Sequence, residues 1–221
     1  MANNFEISYK QELIRKGIHL CSLSIPIGYS LLDQTTALWI LAPLTLLVVS
    51  VDLAIKIIQP LKEFVIKYFG AIMRPHEVKN EIVLNGASWV LISACICIVL
   101  LPKICAVCGF TVLILSDTAA ALLGKKYGKH KWFVNKSVEG TLAFIVTAIA
   151  AVVFIGILNQ APWQYYILVA FASVCAGMVE AVSGILKIDD NLSIPLSLGF
   201  IMWGGSILIN DLYGISIIHL L

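Results

Sequence analysis

Three short stretches of the sequence carry hydroxyls, carboxylates and amines at spacings that suit the handling of phosphate. The first is Ser116-Asp117-Thr118, a carboxylate flanked by two hydroxyls inside an apolar run. Magnesium bound to nucleotide phosphates takes one or two carboxylates and keeps several waters, so Asp117 suits such an ion. The second stretch begins at Gly124 and Gly128, which let the chain turn out of a helix. It gathers Lys125, Lys126, Lys129, Lys131 and Lys136, and ends on Asn135-Lys136-Ser137-Val138-Glu139-Gly140. Asn135 or Ser137 suits the N-cap of the next helix. The unpaired N–H groups of a helix start attract phosphate, and Lys136 adds a point charge there. Glu139 suits the first-turn dipole, and Gly140 permits close backbone approach. The third stretch is Lys187-Ile188-Asp189-Asp190-Asn191, with Pro195 beyond it. Two carboxylates and an amide in a tight turn suit either a metal or nucleotide contact or the cap of a last helix.

Other ionisable groups fall at matching depths. Glu12, Arg15, Lys16 and His19 share one helical face through their spacing. Asp117 lies about 10 Å before Gly124, and Glu180 about as far before Lys187, at 1.5 Å per helical residue. Asp52 is shallower, about 6 Å before Lys56. Charges sunk in a bilayer are costly and mark function or face the bundle interior. The pattern predicts a polar cavity in one half of the bundle. For Asp52, a purely structural pairing between helices is an equal reading.

The elements that must position these groups are membrane helices. Sixty per cent of the 221 residues are hydrophobic, 13% are charged and mean hydropathy is +0.95, against roughly a quarter charged in soluble domains. Apolar runs predict spans at 17–32, 36–57, 85–101, 104–123, 139–158, 164–186 and 192–209. The fold expected is an all-α polytopic bundle of about seven transmembrane helices in a single integral membrane domain, 1–221. With the N-terminus inside, fourteen of the fifteen Lys and Arg residues fall on the cytosolic side. That places the basic loop 124–138 and the segment 56–84 in the cytosol. Within the latter, 56–74 reads as an amphipathic helix on the membrane surface, with Pro60 in its first turn. The polar, mixed-charge first residues do not read as a signal or transit peptide. The six cysteines sit in apolar runs and read as packing residues.

Taken together, Glu12-Leu-Ile-Arg-Lys-Gly-Ile-His19, the run from Ser116 to Trp132, Asn135 to Gly140, and Glu180 with Ile188 to Pro195 resemble the CTP-dependent polyprenol and lipid kinases. That group includes dolichol kinase, phytol kinase and fungal diacylglycerol kinase. Asn85-Gly-Ala-Ser-Trp89 resembles a helix start of the same family, with Ser88 in the place of a threonine. The resemblance covers nearly the whole chain. The related phosphatidate cytidylyltransferases share the Ser-Asp-Thr and Lys-x-x-Glu-Gly parts but end in a Pro-Gly-His-Gly-Gly signature, absent from Lys187 to Phe200.

The resemblance implies transfer of the γ-phosphoryl group of CTP, with Mg²⁺, to the hydroxyl of a membrane lipid alcohol: a polyprenol or dolichol, phytol or diacylglycerol. It implies Asp117 and Asp189 as metal ligands, with Glu180 and Asp190 as further catalytic carboxylates. Lys125, Lys129, Asn135, Lys136, Ser137, Glu139, Gly140 and Asn191 would hold the nucleotide, and Glu12, Lys16 and His19 would close the cavity. The partners implied are a nucleoside triphosphate and a membrane lipid, with no nucleic acid. The membrane expected is a bacterial inner membrane or an organelle membrane, with the active site facing the cytosol. The enzymatic alternative is phosphatidate cytidylyltransfer, and the non-enzymatic one is a small transporter or lipid-binding protein. Transport would need charged groups along the full depth of a pathway, and the outer half of this sequence is apolar.

Overall fold

The computed structural model describes residues 8–69, 84–133, 136–186 and 188–220. The architecture is all-α. Among the described residues, five helices are long and apolar enough to cross a membrane: α3 (Gln34–Ile57), α6 (Lys103–Tyr127), α7 (Val138–Leu158), α8 (Trp163–Leu186) and α9 (Asp190–Tyr213). A shorter apolar helix, α5 (Gly86–Leu100), packs against α3 and α9. The protein is an integral membrane protein.

The first expected span, 17–32, is two helices, α1 (Tyr9–Cys21) and α2 (Ser24–Leu31). Ser8 starts α1 through a reciprocal capping box with Gln11. The junction at Ser22 and Leu23 stays right-handed, and three-residue hydrogen bonds tighten it: Ser22 N–H to His19 O, Leu23 N–H to Leu20 O. The pair therefore behaves as one broken rod. Both halves lie against α6. Lys16 of α1 meets Asp117, past the middle of α6, and Lys103 at its start lies over the Tyr29 ring of α2, 5.9 Å away.

Helix α6 is the axis of the bundle, with α1, α2, α5, α7 and α9 around it. Of its most apolar window 61% is buried, against 11% for α3. The apolar surface of α3, including Trp39 and Leu46, therefore faces lipid. Within a bilayer, helices associate by close van der Waals packing, which small residues permit. A Cβ on Gly109 of α6 would come within 2.7 Å of the Pro195 carbonyl oxygen of α9. The core that results is lined by Ala94, Cys108, Leu113, Phe144, Ala172 and Ile194. Cys97, Cys105 and Cys108 are buried in it as free thiols, packing as the sequence predicts.

Gly124 does not terminate α6, as its sequence context predicts. The helix runs on to Tyr127 and is capped at Gly128. Gly124 is instead a crossing point: its Cβ would lie 3.2 Å from the Gly140 Cα of α7. The chain then returns through a small antiparallel hairpin, β1 (Lys131–Phe133) with β2 (Lys136–Ser137). A further helix, α4 (Gln59–Phe69), follows α3, with Phe64 and Tyr68 exposed on its apolar face. Residues 70–83 of the expected amphipathic segment lie outside the described residues.

Candidate active site

The ends of α6 and α8 and the starts of α7 and α9 meet at one end of the bundle, and the ionisable groups converge there. Asp117 of α6, Glu180 of α8 and Asp190 of α9 each offer a carboxylate oxygen within 4.8 Å of the others. Two lysines enter the same space. Lys16 of α1, only 2% exposed, is bonded to Asp117. Lys136 of β2 is bonded to Glu180 and lies 3.5 Å from Asp190. The Nε2 of His19 is 3.7 Å from Asp117.

The energetics of this arrangement are unlike those of surface ion pairs. Burial costs each ion several kcal/mol, which only close, well-aligned partners offset. Removing water from Lys136 would lower its pKa, but the Asp190 and Glu180 carboxylates beside it win and hold it above the usual lysine range. Lys136 is therefore a permanent cation at neutral pH. With His19 neutral, three carboxylates face two ammonium groups, and one negative charge is left over.

Local structure sets each of these side chains. Ser137 caps α7, accepting from the Gly140 N–H at 3.1 Å, which fixes Lys136 one residue before the cap. Glu139 turns away from the cluster. It accepts from the His130 backbone N–H and pairs with the His130 ring, Nδ1 to Oε1 at 2.7 Å, so it clasps the basic loop to α7. Thr118 also turns away, donating to the Ile114 carbonyl within its own helix.

The turn between α8 and α9 divides its two aspartates. Asp189 is the N-cap of α9: its Oδ1 accepts from the Asn191 backbone N–H at 3.0 Å and from the Asn191 amide at 2.7 Å. Asp190, in the first helical turn, points to Glu180 and Asp117. Oδ1 of Asp189 is thus engaged by the turn it caps, whereas Asp190 is the aspartate of this turn that stands with Asp117 and Glu180. Asn191 is buried, its amide bonded to Asp189 and its amide nitrogen 4.0 Å from the site of a Gly86 Cβ at the start of α5. Lys125 and Lys129 are exposed around the end of α6. Of the three residues expected to close the site, Lys16 and His19 reach Asp117, whereas Glu12 is buried against Arg15. Asn135 lies outside the described residues. Sequence reasoning missed His130, whose only signal is its position nine residues before Glu139.

Three oxygen ligands of hard character at this separation suit a divalent cation such as Mg²⁺. A second observation fits it: Oε2 of Glu180 is buried and has no hydrogen-bond partner among the described residues. A buried acceptor without a partner is costly unless something else binds it.

No family model and no solved structure matches the chain. Among known proteins it is 30% identical to an uncharacterized protein of Rickettsia prowazekii over 190 residues, 83% of this chain and 89% of the relative. It is 32% identical to the phytol kinase of Synechocystis over 106 residues, 45% of this chain and 44% of that enzyme. It is 30% identical to the CTP-dependent diacylglycerol kinase 1 of Saccharomyces cerevisiae over 146 residues, 58% of this chain and 49% of that enzyme. The chain thus spans about half the length of these two kinases. The chain belongs to the CTP-dependent lipid kinase family, with the dolichol, phytol and diacylglycerol kinases.

Proposed function

We propose that this protein transfers the γ-phosphoryl group of a nucleoside triphosphate, CTP, to the hydroxyl of a membrane lipid alcohol. The observation that carries this reading is the convergence of Asp117, Glu180 and Asp190 with Lys16 and Lys136 at one end of the bundle. We take that end to be cytosolic, where the nucleotide is supplied.

Asp117, Glu180 and Asp190 would hold Mg²⁺, which when bound supplies charge neutralisation at the phosphates. Lys136 sits beside the α7 start, where a fixed cation and free N–H groups favour an anion. Lys125 and Lys129 raise the local concentration of nucleotide from the exposed side. Lys16 and His19 border Asp117 from α1, on the side from which a lipid approaches. In the reaction the lipid oxygen bonds to the γ-phosphorus, and the bond from that phosphorus to the β–γ bridging oxygen breaks. CDP leaves, and the hydroxyl proton passes to a carboxylate of the cluster. Such a transfer asks little covalent chemistry of the protein, mainly positioning and charge neutralisation.

The test is incubation of the purified protein with γ-labelled CTP or ATP, Mg²⁺ and a panel of lipid alcohols. Labelled lipid phosphate with release of CDP is expected. Pyrophosphate release with phosphatidate as acceptor would instead mean cytidylyl transfer, and label in no lipid under any condition would overturn the reading.

A further inference from the structure

We propose that the slot between α2 and α3 holds a hydrocarbon tail of the acceptor lipid alcohol, with its hydroxyl end toward Asp117. The inference rests on the kinase reading above and adds to it the place of the acceptor's tail.

Continuity with the charged cluster comes first. The broken rod of α1 and α2 runs along α6, and its first half delivers Lys16 and His19 to Asp117. The slot opens at Ser24 and Ile25, five residues past His19 and just beyond the break, so about 8 Å along the rod at 1.5 Å per residue. Polar chemistry ends where the slot begins. A lipid lying there has its polar end at the ions and its body in apolar surroundings.

Shape is the second argument. The floor is closed, with Tyr29 5% and Ala37 2% exposed, while the rim residues Ile40 and Leu44 are 55% and 43% exposed. A slot with a buried floor and a lipid-facing rim admits a chain sideways from the bilayer. Its volume is about 230 Å³. At roughly 30 Å³ for a water-sized group, that is room for a chain segment of about eight such groups.

Gly28 is the third. It lines the slot from α2, and a Cβ placed on it would meet nothing within 4 Å. A side chain at this position would therefore project into the slot.

The test uses the protein in nanodiscs with a geranylgeraniol analogue carrying a diazirine in mid-chain. After photolysis, label is expected on residues 24–44, displaced by unlabelled geranylgeraniol and not by phosphatidylcholine. Label elsewhere, or equal displacement by phosphatidylcholine as for bulk bilayer lipid, would overturn the proposal. In parallel, Gly28→Leu should lower kcat/KM for geranylgeraniol relative to geraniol by about tenfold or more, the scale of lost methylene contacts in an apolar pocket. Leu46→Phe, on the opposite face of α3, should leave that ratio unchanged. An equal fall for both alcohols in Gly28→Leu would also overturn it. If the wild-type protein phosphorylates no alcohol, the kinase reading fails, while the labelling pattern still decides what the slot holds.

Discussion

Two buried carboxylate sites lie at the same end of this bundle, and they solve the same electrostatic problem in different ways. Asp52 of α3, 3% exposed, faces the start of α5. It accepts from the Asn85 backbone N–H at 2.7 Å and from the Ser88 hydroxyl at 3.0 Å, while the Asn85 side chain accepts from the Ser88 N–H. Those partners are neutral and local, and they tie α3 to α5 at a helix N-terminus whose dipole favours an anion. Asp117 and Glu180 face lysines brought from α1 and β2, far away in the chain. The first arrangement satisfies a charge and closes a helix junction. The second assembles ions from five elements, and Glu180 keeps one oxygen without a partner among the described residues. A carboxylate serves structure when backbone and hydroxyl groups saturate it. It suits chemistry when its partners are cations that a ligand's own charges can displace.

The largest expected effect separates the two sites directly. Asp117→Asn keeps the shape of the side chain and removes its charge. It should lower phosphoryl transfer by about 10² to 10³, the scale for losing one preorganised electrostatic group. The labelled-nucleotide assay measures it. Activity near that of the wild type would reduce Asp117 to the role of Asp52.

Lys136→Met tests the ion pairs of the second site. Breaking a buried pair costs about 3–5 kcal/mol. Lys136 keeps 30% of its side chain exposed, so solvent screening should reduce this to roughly 1–3 kcal/mol. Thermal unfolding in detergent reads it. The double variant Lys136→Met with Glu180→Gln should be less destabilised than the sum of the two single variants, because it removes the stranded carboxylate with its partner. Strict additivity would mean that the pair contributes nothing as a pair.

These contrasts explain what was legible in the sequence. The helices and their approximate ends were readable, because apolar periodicity and length are local signals. Asp117 and Glu180 were readable as groups at one depth, because depth follows from counting along a helix. Direction around the helix is a different matter. Asp189 and Asp190 are neighbours, and only the cap geometry decides that one holds the turn while the other enters the cluster. Glu139 and Asn191 look like ligand groups in sequence yet spend their polar atoms on the loop and the turn. The break at Ser22 and Leu23 has its signal in Pro26, which lacks the N–H for the Ser22 carbonyl and whose ring would clash with it in a continuous helix.

A third change asks whether the frame of the cluster is as exacting as its charges. Gly124 and Gly140 cross with backbones almost touching, and Ser137 Oγ lies 3.3 Å from the site of a Gly124 Cβ. The obstacle is backbone on the facing helix, which cannot rotate aside. Gly124→Val should therefore cost about 1–3 kcal/mol, as overpacking does. It should also lower activity, since the crossing sets the distance between Asp117 on α6 and Lys136 beside α7. A variant that melts lower and keeps full activity would show that the cluster tolerates a looser crossing.

The smallest expected effect belongs to the other half of the comparison. In Asp52→Asn the amide oxygen can still accept from the Asn85 N–H and the Ser88 hydroxyl, so both bonds survive in neutral form. What is lost is the charge assistance, which roughly doubles the strength of such bonds. The cost should be about 1 kcal/mol or less, seen as a modest drop in melting temperature with phosphoryl transfer retained. Asp52→Ala should cost more, because it strands the Asn85 N–H and the Ser88 hydroxyl without an acceptor at a buried junction. The ordering of these two variants is the sharp point. If Asn at position 52 abolished transfer while the protein stayed folded, the negative charge itself would be needed there. Asp52 would then belong with Asp117 among the ions that handle phosphate, and the division of the two carboxylate sites would fail.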